Sequence, residues 1–184
     1  MGRFANEDYV SMTMEFRCNL KCVHCMIEGT MDRLAPESME SFKGLLAHNR
    51  SSGQWKGLVL TGSEITLRRD LPDLARQARA AGFHHVRIQT NGVYLADPDY
   101  CARLVDAGVD EYFVSVTAAD ALTHDAIVAV PAAFEKMMRG LENLDAIEGV
   151  SILTNTVVTA LSYRQLPAVV DRLAHLRRLV PMEF

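Results

Sequence analysis

The feature that most constrains the fold is the alternation of short β-branched runs with longer segments of helical periodicity. Such alternation is typical of βαβ units, in which helices connect parallel strands. Five complete runs are predicted to be strands, namely Val10 to Phe16, Gly57 to Thr61, Val86 to Thr90, Tyr112 to Thr117 and Val150 to Val158. A sixth strand is predicted to begin at Val180. The pattern therefore predicts an α/β fold with a parallel sheet.

The segments between the predicted strands carry helix signals. The clearest helix has Asp70 as a candidate cap, Pro72 near its start and Gly82 at its end. Other helices are predicted from Asp97 to Gly108, from about Pro131, and from about Leu166 to Leu176 with Val169, Val170 and Leu173 on its inner side. Five or six units are too few for an eight-stranded barrel, which needs roughly 250 residues. We therefore expect a partial, open β/α TIM-like barrel of about six units.

Size and charge exclude several classes of protein. The chain has 184 residues and a formal net charge of −4, which does not fit a nucleic-acid binder. No segment approaches the roughly 18 consecutive apolar residues of a membrane span. We expect a cytoplasmic protein with neither a nucleic-acid nor a membrane partner. Because the sequence stops at Phe184 inside a predicted strand, we expect residues 1–184 to be a core domain without its C-terminal extension.

Three of the four cysteines, Cys18, Cys22 and Cys25, lie within eight residues. This spacing is too tight for an ordinary disulfide framework and suits a metal in a reducing compartment. The three follow the first predicted strand, so they lie at the sheet edge where α/β proteins bind their ligands. Soft thiolates select iron–sulfur clusters or zinc. Cys101, among apolar neighbours in its predicted helix, is interpreted as a buried structural thiol.

The loop Cys18-Asn19-Leu20-Lys21-Cys22-Val23-His24-Cys25 resembles the cluster loop of the radical S-adenosylmethionine (radical SAM) superfamily. The resemblance implies two cofactors, a 4Fe-4S cluster on the three cysteines and S-adenosylmethionine on the open iron. It also implies that His24, at a position that is usually aromatic, lies against the adenine. Reductive cleavage of S-adenosylmethionine would then give methionine and a 5′-deoxyadenosyl radical that abstracts hydrogen from a substrate. Such chemistry is oxygen-sensitive.

The resemblance continues after the second strand. Thr61-Gly62-Ser63-Glu64-Ile65 resembles the Gly-Gly-Glu-Pro segment of the superfamily, with a serine in place of the second glycine and an isoleucine in place of proline. This implies that Gly62, Ser63 and Glu64 receive the methionine amine of the cofactor.

Later strand ends add further candidates. Asn91 belongs to a Thr-Asn-Gly ending that is common in one branch of the superfamily. Ser115 and Thr117 stand where relatives often carry Ser-x-Asp to hold the ribose and the methionine carboxylate. Asn155 is a candidate polar contact, and Val157 a candidate apolar wall for adenine. These four polar side chains could instead satisfy backbone groups at strand ends.

A downstream segment, Thr123-His124-Asp125 followed by Val130-Pro131-Ala132-Ala133-Phe134, resembles the peptide- and cofactor-maturing branch, with Ala132-Ala133 where Gly-Ser is common. We therefore predict an enzyme that acts on a peptide or small-molecule substrate with an external flavodoxin- or ferredoxin-like electron donor. Two alternatives stay open. The cysteines could hold zinc in a non-catalytic scaffold module, with a fourth ligand from elsewhere. The chain could also be an inactive truncated core.

Overall fold

The structure is a computed structural model that describes residues 8–27 and 29–180. Within these residues, four short 3-10 helices lie at Met31–Arg33, Ile65–Leu67, Val93–Ala96 and Tyr163–Gln165. The main elements in chain order are β1 (Tyr9–Glu15), α1 (Met39–Ser52), β2 (Gly57–Gly62), α2 (Leu71–Ala80), β3 (His85–Thr90), α3 (Pro98–Asp106), β4 (Glu111–Ser115), α4 (Ala121–Val128), α5 (Ala133–Asp145), β5 (Ser151–Asn155) and α6 (Leu166–Leu173).

The five strands form one parallel sheet in the order β1-β2-β3-β4-β5. Every strand pairs with its neighbour in the chain, so the helices between them serve as crossovers. A sixth extended segment begins beside β5, where Leu179 forms a parallel bridge with Ile152 and the Val180 N–H donates to the Ile152 carbonyl over 2.8 Å. The predicted α/β fold, an open and partial barrel with a parallel sheet, is confirmed.

The two faces of the sheet differ because successive strand residues point in opposite directions. Val86, Ile88, Tyr112 and Val114 lie on the face covered by helices, and all four are fully buried in the main core. The residues between them on β3 and β4 include Arg87, Gln89 and Phe113 and remain partly exposed. This second face leads up to the ends of the strands, where the candidate site lies. Among the described residues, no helix combines the length and apolar character needed to cross a membrane.

Two helices were not predicted, and one side chain was assigned to the wrong face. In α1 Phe42 and Leu46 are buried, but the helix also contains the poor helix formers Ser, Gly and Asn. Helix α4 was missed as well. In α6 Val169 and Leu173 share the buried face, whereas Val170 is 69% exposed. The prediction for Val170 is wrong because the next residue along a helix lies about 100° around its axis.

The amino end of the sheet is closed by a charged cluster on the second face. The Tyr9 hydroxyl donates to the two Glu111 carboxylate oxygens over 2.9 and 3.0 Å, and Arg87 Nε donates to Glu111 over 3.0 Å. The Arg87 guanidinium also lies 4.5 Å from the centre of the Tyr9 ring. Burial, the charge of Glu111 and its hydrogen bond raise the pKa of Tyr9. This end is therefore filled by paired side chains, and open space lies at the opposite end.

Candidate functional site

The three cysteines of the loop after β1 line one cavity of about 520 Å³ at the carboxyl ends of the strands. Cys18, Cys22 and Cys25 are half-buried. The Leu20 N–H donates to the Cys18 sulfur over 3.4 Å, and burial raises the pKa of the Cys18 thiol. Within residues 8–27 and 29–180, no three His, Cys, Asp or Glu side chains are arranged around a single metal ion. A cluster makes a different demand, because its cysteines bind separate iron atoms.

Helix α4 positions the cysteine loop. The Lys21 N–H donates to the Val128 carbonyl over 3.1 Å, and the Val23 N–H donates to the Ile127 carbonyl over 2.9 Å. These carbonyls lie at the C-terminal end of α4, where helix carbonyls lack partners within the helix. Leu20 packs in the same place against Val128. The loop is thus fixed to the end of α4 by two backbone hydrogen bonds and an apolar contact.

The downstream segment singled out in the sequence supports this arrangement. Asp125 accepts hydrogen bonds from the Ala132 N–H over 2.6 Å and the Phe134 N–H over 2.8 Å, so it caps the start of α5. Ala132 has a φ of 58°, in the left-handed region that favours glycine. This explains why glycine is common at this position in the resembling segments. The segment therefore fixes the turn between α4 and α5, and α4 in turn holds the cysteine loop.

Two polar atoms in the cavity wall are buried without a hydrogen-bond partner in the described part of the chain. They are His24 Nδ1 and Ser63 Oγ. Leaving a buried polar group unpaired costs about 1–3 kcal/mol, so native proteins pair almost all of them. The two atoms therefore indicate a polar ligand that supplies the missing partners. The soft thiols beside them suit an iron–sulfur cluster, and the cavity fits that cofactor together with a polar organic one.

Gly62 allows the close approach of β1 and β2 at the edge of the cavity. A Cβ atom at this position would lie 2.0 Å from the Glu15 carbonyl oxygen. The same carbonyl accepts a hydrogen bond from the Ser63 N–H over 2.8 Å. The Gly-Ser pair is therefore held against the end of β1, the strand that leads into the cysteine loop. Both Gly62 and Ser63 line the cavity.

Glu64 lies behind the cavity wall, fully buried, and is not among the lining residues. One carboxylate oxygen accepts from the Thr66 N–H over 3.0 Å, the Thr66 hydroxyl over 2.5 Å and the Thr90 hydroxyl over 2.7 Å. The other accepts from the Asn91 N–H over 2.7 Å. Burial raises the pKa of Glu64, and the hydrogen bonds from Thr66, Asn91 and Thr90 act in the opposite direction. In this structure the carboxylate joins the end of β2 to the end of β3.

Asn91 connects this network to the cysteine loop. Its side-chain amide donates to Asn19 Oδ1 over 2.7 Å, and its own Oδ1 accepts from the Val93 N–H over 3.1 Å. The amide nitrogen also lies 4.0 Å from the Cys18 sulfur. Asn91 therefore orients the loop and lines the cavity at the same time.

The ends of β4 and β5 supply the remaining predicted residues. Ser115, Thr117, Asn155 and Val157 all line the cavity, and Ser115 lies directly opposite Asn155 in the sheet. The predicted strands were too long at this point. Strand β4 ends at Ser115 and β5 at Asn155, because the Thr156 hydroxyl turns back to donate to the Val116 carbonyl over 2.8 Å.

His124 is a cavity residue that was not predicted from the sequence. Its Nδ1 lies 3.0 Å from the Thr117 hydroxyl oxygen, and both side chains are buried. Burial lowers the pKa of His124. The histidine lies on α4, whose start is capped by the Asp120 carboxylate accepting from the Thr123 N–H. The helix was not predicted from the sequence, and Asp120, a residue type that often caps helices, is the signal that could have indicated it.

The chain is similar to proteins of a known family. The family description "Radical SAM superfamily" matches residues 13–173. The probable GTP 3′,8-cyclase of Methanopyrus kandleri is 32% identical over 97% of this chain and 56% of its own length. The Fe-coproporphyrin III synthase of Methanosarcina barkeri is 34% identical over 89% of this chain and 40% of its own length. The chain thus spans about half the length of these relatives or less.

Solved structures show the same fold at lower identity. Streptococcus suis SuiB bound to precursor peptide SuiA has a TM-score of 0.72 and 16% identity, and the match covers 90% of this chain and 36% of SuiB. Native anSMEcpe with bound AdoMet has a TM-score of 0.67 and 18% identity, covering 93% of this chain and 50% of that one.

Proposed function

This chain belongs to the radical SAM superfamily, and we propose that it is the catalytic core of an enzyme that uses the two cofactors of that superfamily. Cys18, Cys22 and Cys25 would hold the 4Fe-4S cluster, and the adjoining cavity would bind S-adenosylmethionine. The observation that carries the proposal is the shared cavity, in which three thiols lie with two buried polar atoms that need partners. A structural zinc site would need a fourth protein ligand to the same ion.

The protein contributes position and shielding. The bound cofactors supply the hard step, one-electron cleavage that generates a hydrogen-abstracting radical. Ser63 and His24 would donate or accept hydrogen bonds at the cofactor, and Gly62 keeps Ser63 close to the cysteine loop. Asn91, Ser115, Thr117 and Asn155 are candidates for its other polar groups, with Val157 as the apolar wall. We assign Glu64 an indirect part, in which its carboxylate fixes the backbone of this wall.

The apolar part of the cavity suits chemistry that must exclude water. Leu20, Ile27, Phe113 and Val128 line it beside the cysteines. Enclosed apolar walls protect reactive species from solvent and strengthen the polar contacts made inside. The close spacing of three of the four cysteines also fits the reducing cytoplasm, which is the compartment we propose. An external one-electron donor would have to reduce the cluster.

We propose a small cofactor precursor as the substrate class. Two relatives that are more than 30% identical over most of this chain are named for GTP and for an iron porphyrin. A peptide substrate, the other half of our sequence prediction, is suggested only by SuiB, which at 16% identity supports the fold alone. Incubation with GTP and with a tetrapyrrole precursor of Fe-coproporphyrin III separates these possibilities. Consumption of either one would support the proposal, and turnover of a peptide alone would contradict this substrate class.

Cluster binding is tested by anaerobic reconstitution with iron and sulfide, followed by measurement of bound iron and sulfide. We expect a stoichiometry of one 4Fe-4S cluster per chain. Cys22→Ala should lose the cluster, whereas Cys101→Ser should retain it, because Cys101 is fully buried in the main core and its thiol donates to the Leu95 carbonyl. Zinc without iron in anaerobically purified protein, or full iron in Cys22→Ala, would contradict the proposal.

A further inference from the structure

The cavity has to recognise its ligand without fixed charges. Among the described residues that line it, none is Asp, Glu, Lys or Arg. Several neutral acceptors are already in use, since Gln89 Oε1 accepts from the Thr61 hydroxyl over 2.5 Å and Asn91 Oδ1 accepts from the Val93 N–H. A ligand that brings hydroxyl or amine donors into the cavity therefore depends on the few acceptors that are left.

The Thr117 hydroxyl is one of these few acceptors, and its orientation is controlled by one neighbour. Thr117 is 3% exposed and His124 is 2% exposed, with 3.0 Å between Thr117 Oγ1 and His124 Nδ1. The imidazole ring is held edge-on against the Phe134 ring at 5.5 Å between centroids. The backbone of His124 is fixed too, because its N–H donates to the Asp120 carbonyl over 3.0 Å in the first turn of α4. The imidazole is thus a rigid partner of the hydroxyl.

We propose that His124 accepts the Thr117 proton at Nδ1 and thereby presents the Thr117 oxygen to the cavity as a hydrogen-bond acceptor for hydroxyl or amine groups of the ligand. A hydroxyl has one proton and two lone-pair positions. Once the proton is directed at His124, only lone pairs face the ligand. His124 is then a positioning residue that acts through Thr117, and its proton lies on Nε2.

The electrostatic setting supports a neutral imidazole, which the proposed hydrogen bond requires. Burial lowers the pKa of His124, so the ring is neutral and keeps a lone pair for the Thr117 proton. A neutral hydroxyl–imidazole pair is also the arrangement that a buried site accommodates without a counter-ion. The inference rests on the proposed function only for the identity of the ligand, S-adenosylmethionine, whose ribose hydroxyls and amine are donors.

The tautomer is measured directly on the full chain by ¹⁵N NMR of labelled histidine, with His124→Asn used to assign the signal. We expect His124 Nδ1 to show the shift of an unprotonated ring nitrogen and Nε2 that of a protonated one. A protonated Nδ1 would overturn the inference whatever the chain binds. This arm therefore does not depend on cluster or cofactor.

Ligand affinity supplies the second arm, with S-adenosylmethionine titrated into the anaerobically reconstituted protein. Thr117→Val should weaken binding about 10-fold, the equivalent of about 1.4 kcal/mol and of one hydrogen bond. Thr117→Ser should bind within about 2-fold of wild type. His124→Asn places an amide oxygen near the Nδ1 position and should retain most of the affinity, whereas His124→Leu should lose about as much as Thr117→Val.

The double variant separates positioning from packing. Because His124 acts through Thr117, adding His124→Leu to Thr117→Val should cause no further loss of affinity. Equal losses in His124→Asn and His124→Leu, or additive losses in the double variant, would overturn the inference. Urea unfolding midpoints and bound iron, measured on every variant, show that the fold and cluster persist. If wild-type protein with a bound cluster fails to bind S-adenosylmethionine, the proposed function fails, and the NMR arm still decides the tautomer.

Discussion

Replacing Glu64 with glutamine should destabilise the fold, because this carboxylate accepts four hydrogen bonds, two of them from backbone N–H groups. One oxygen accepts three hydrogen bonds, from the Thr66 N–H and hydroxyl and from the Thr90 hydroxyl, and the other accepts one from the Asn91 N–H. Glutamine retains one oxygen, and its amide nitrogen is a donor that must face at least one of these groups. No orientation of the amide satisfies all four.

The least costly orientation keeps the oxygen on Thr66 and Thr90 and turns the amide nitrogen toward Asn91. One charge-assisted hydrogen bond is then lost and a backbone N–H is left unpaired in a buried position, at a cost of about 2–4 kcal/mol. With a urea slope of about 3 kcal/mol/M, the unfolding midpoint should fall by about 1 M. The assay is urea unfolding followed by circular dichroism, with Glu40→Gln at an exposed position of α1 as the control that should stay within about 0.5 kcal/mol of wild type.

An unchanged midpoint for Glu64→Gln would refute the network as a source of stability. If the midpoint stays constant while S-adenosylmethionine affinity falls, the carboxylate serves the ligand directly, as the resemblance to the Gly-Gly-Glu-Pro segment implies. The two roles thus predict opposite combinations of stability and affinity. The same variant therefore also distinguishes a supporting part for Glu64 from a direct one.

Three further predictions, the first with a control substitution, test the local backbone and charge assignments. Ala132→Gly should stabilise the protein by about 0.5–1 kcal/mol, since it relieves a left-handed φ of 58°. The control, Ala47→Gly within α1, should destabilise the protein by about 1 kcal/mol. Equal effects of the two substitutions on stability would contradict backbone strain at Ala132. Gly44→Ala should stabilise α1 by about 0.5–1 kcal/mol, because nothing lies within 4 Å of the added Cβ, and a lower melting temperature would speak against it. Hydrogen bonds from Arg68 lower the pKa of Asp70, so the stability this pair adds is present above the ordinary carboxyl pKa of about 3.9 and is lost as pH falls through the lower folded value. Asp70→Asn should therefore differ from wild type at neutral pH and converge with it in acid, and a difference independent of pH would contradict the pairing.

Much of the fold could be predicted because strand and helix periodicities were undisturbed in most of the chain. The β-branched runs around Val86 and Tyr112 placed two neighbouring strands correctly. Helix α1 escaped prediction because its sequence, with Gly44 inside it and several weak helix formers, has low intrinsic propensity. Its stability comes from burying Phe42 and Leu46 against the sheet, a tertiary effect that no local pattern contains.

Some features of the candidate site could be predicted from the sequence, and others could not. The cysteine loop could be identified because ligand spacing is local, and the residues after each strand could be grouped because parallel strands end at one edge. The environment of individual side chains could not be predicted. Glu64 is enclosed by groups from two strand ends, and His124 meets Thr117 only because α4 folds back over the cavity. Both contacts depend on the packing of separate elements.

The proposed radical chemistry is tested by anaerobic reconstitution with iron and sulfide, followed by addition of S-adenosylmethionine and a strong reductant and chromatographic detection of 5′-deoxyadenosine. This chemistry predicts that wild-type protein and Cys101→Ser form 5′-deoxyadenosine and that Cys22→Ala does not. Absence of the product from wild-type protein that carries both a cluster and bound S-adenosylmethionine would contradict it, as would undiminished product in Cys22→Ala.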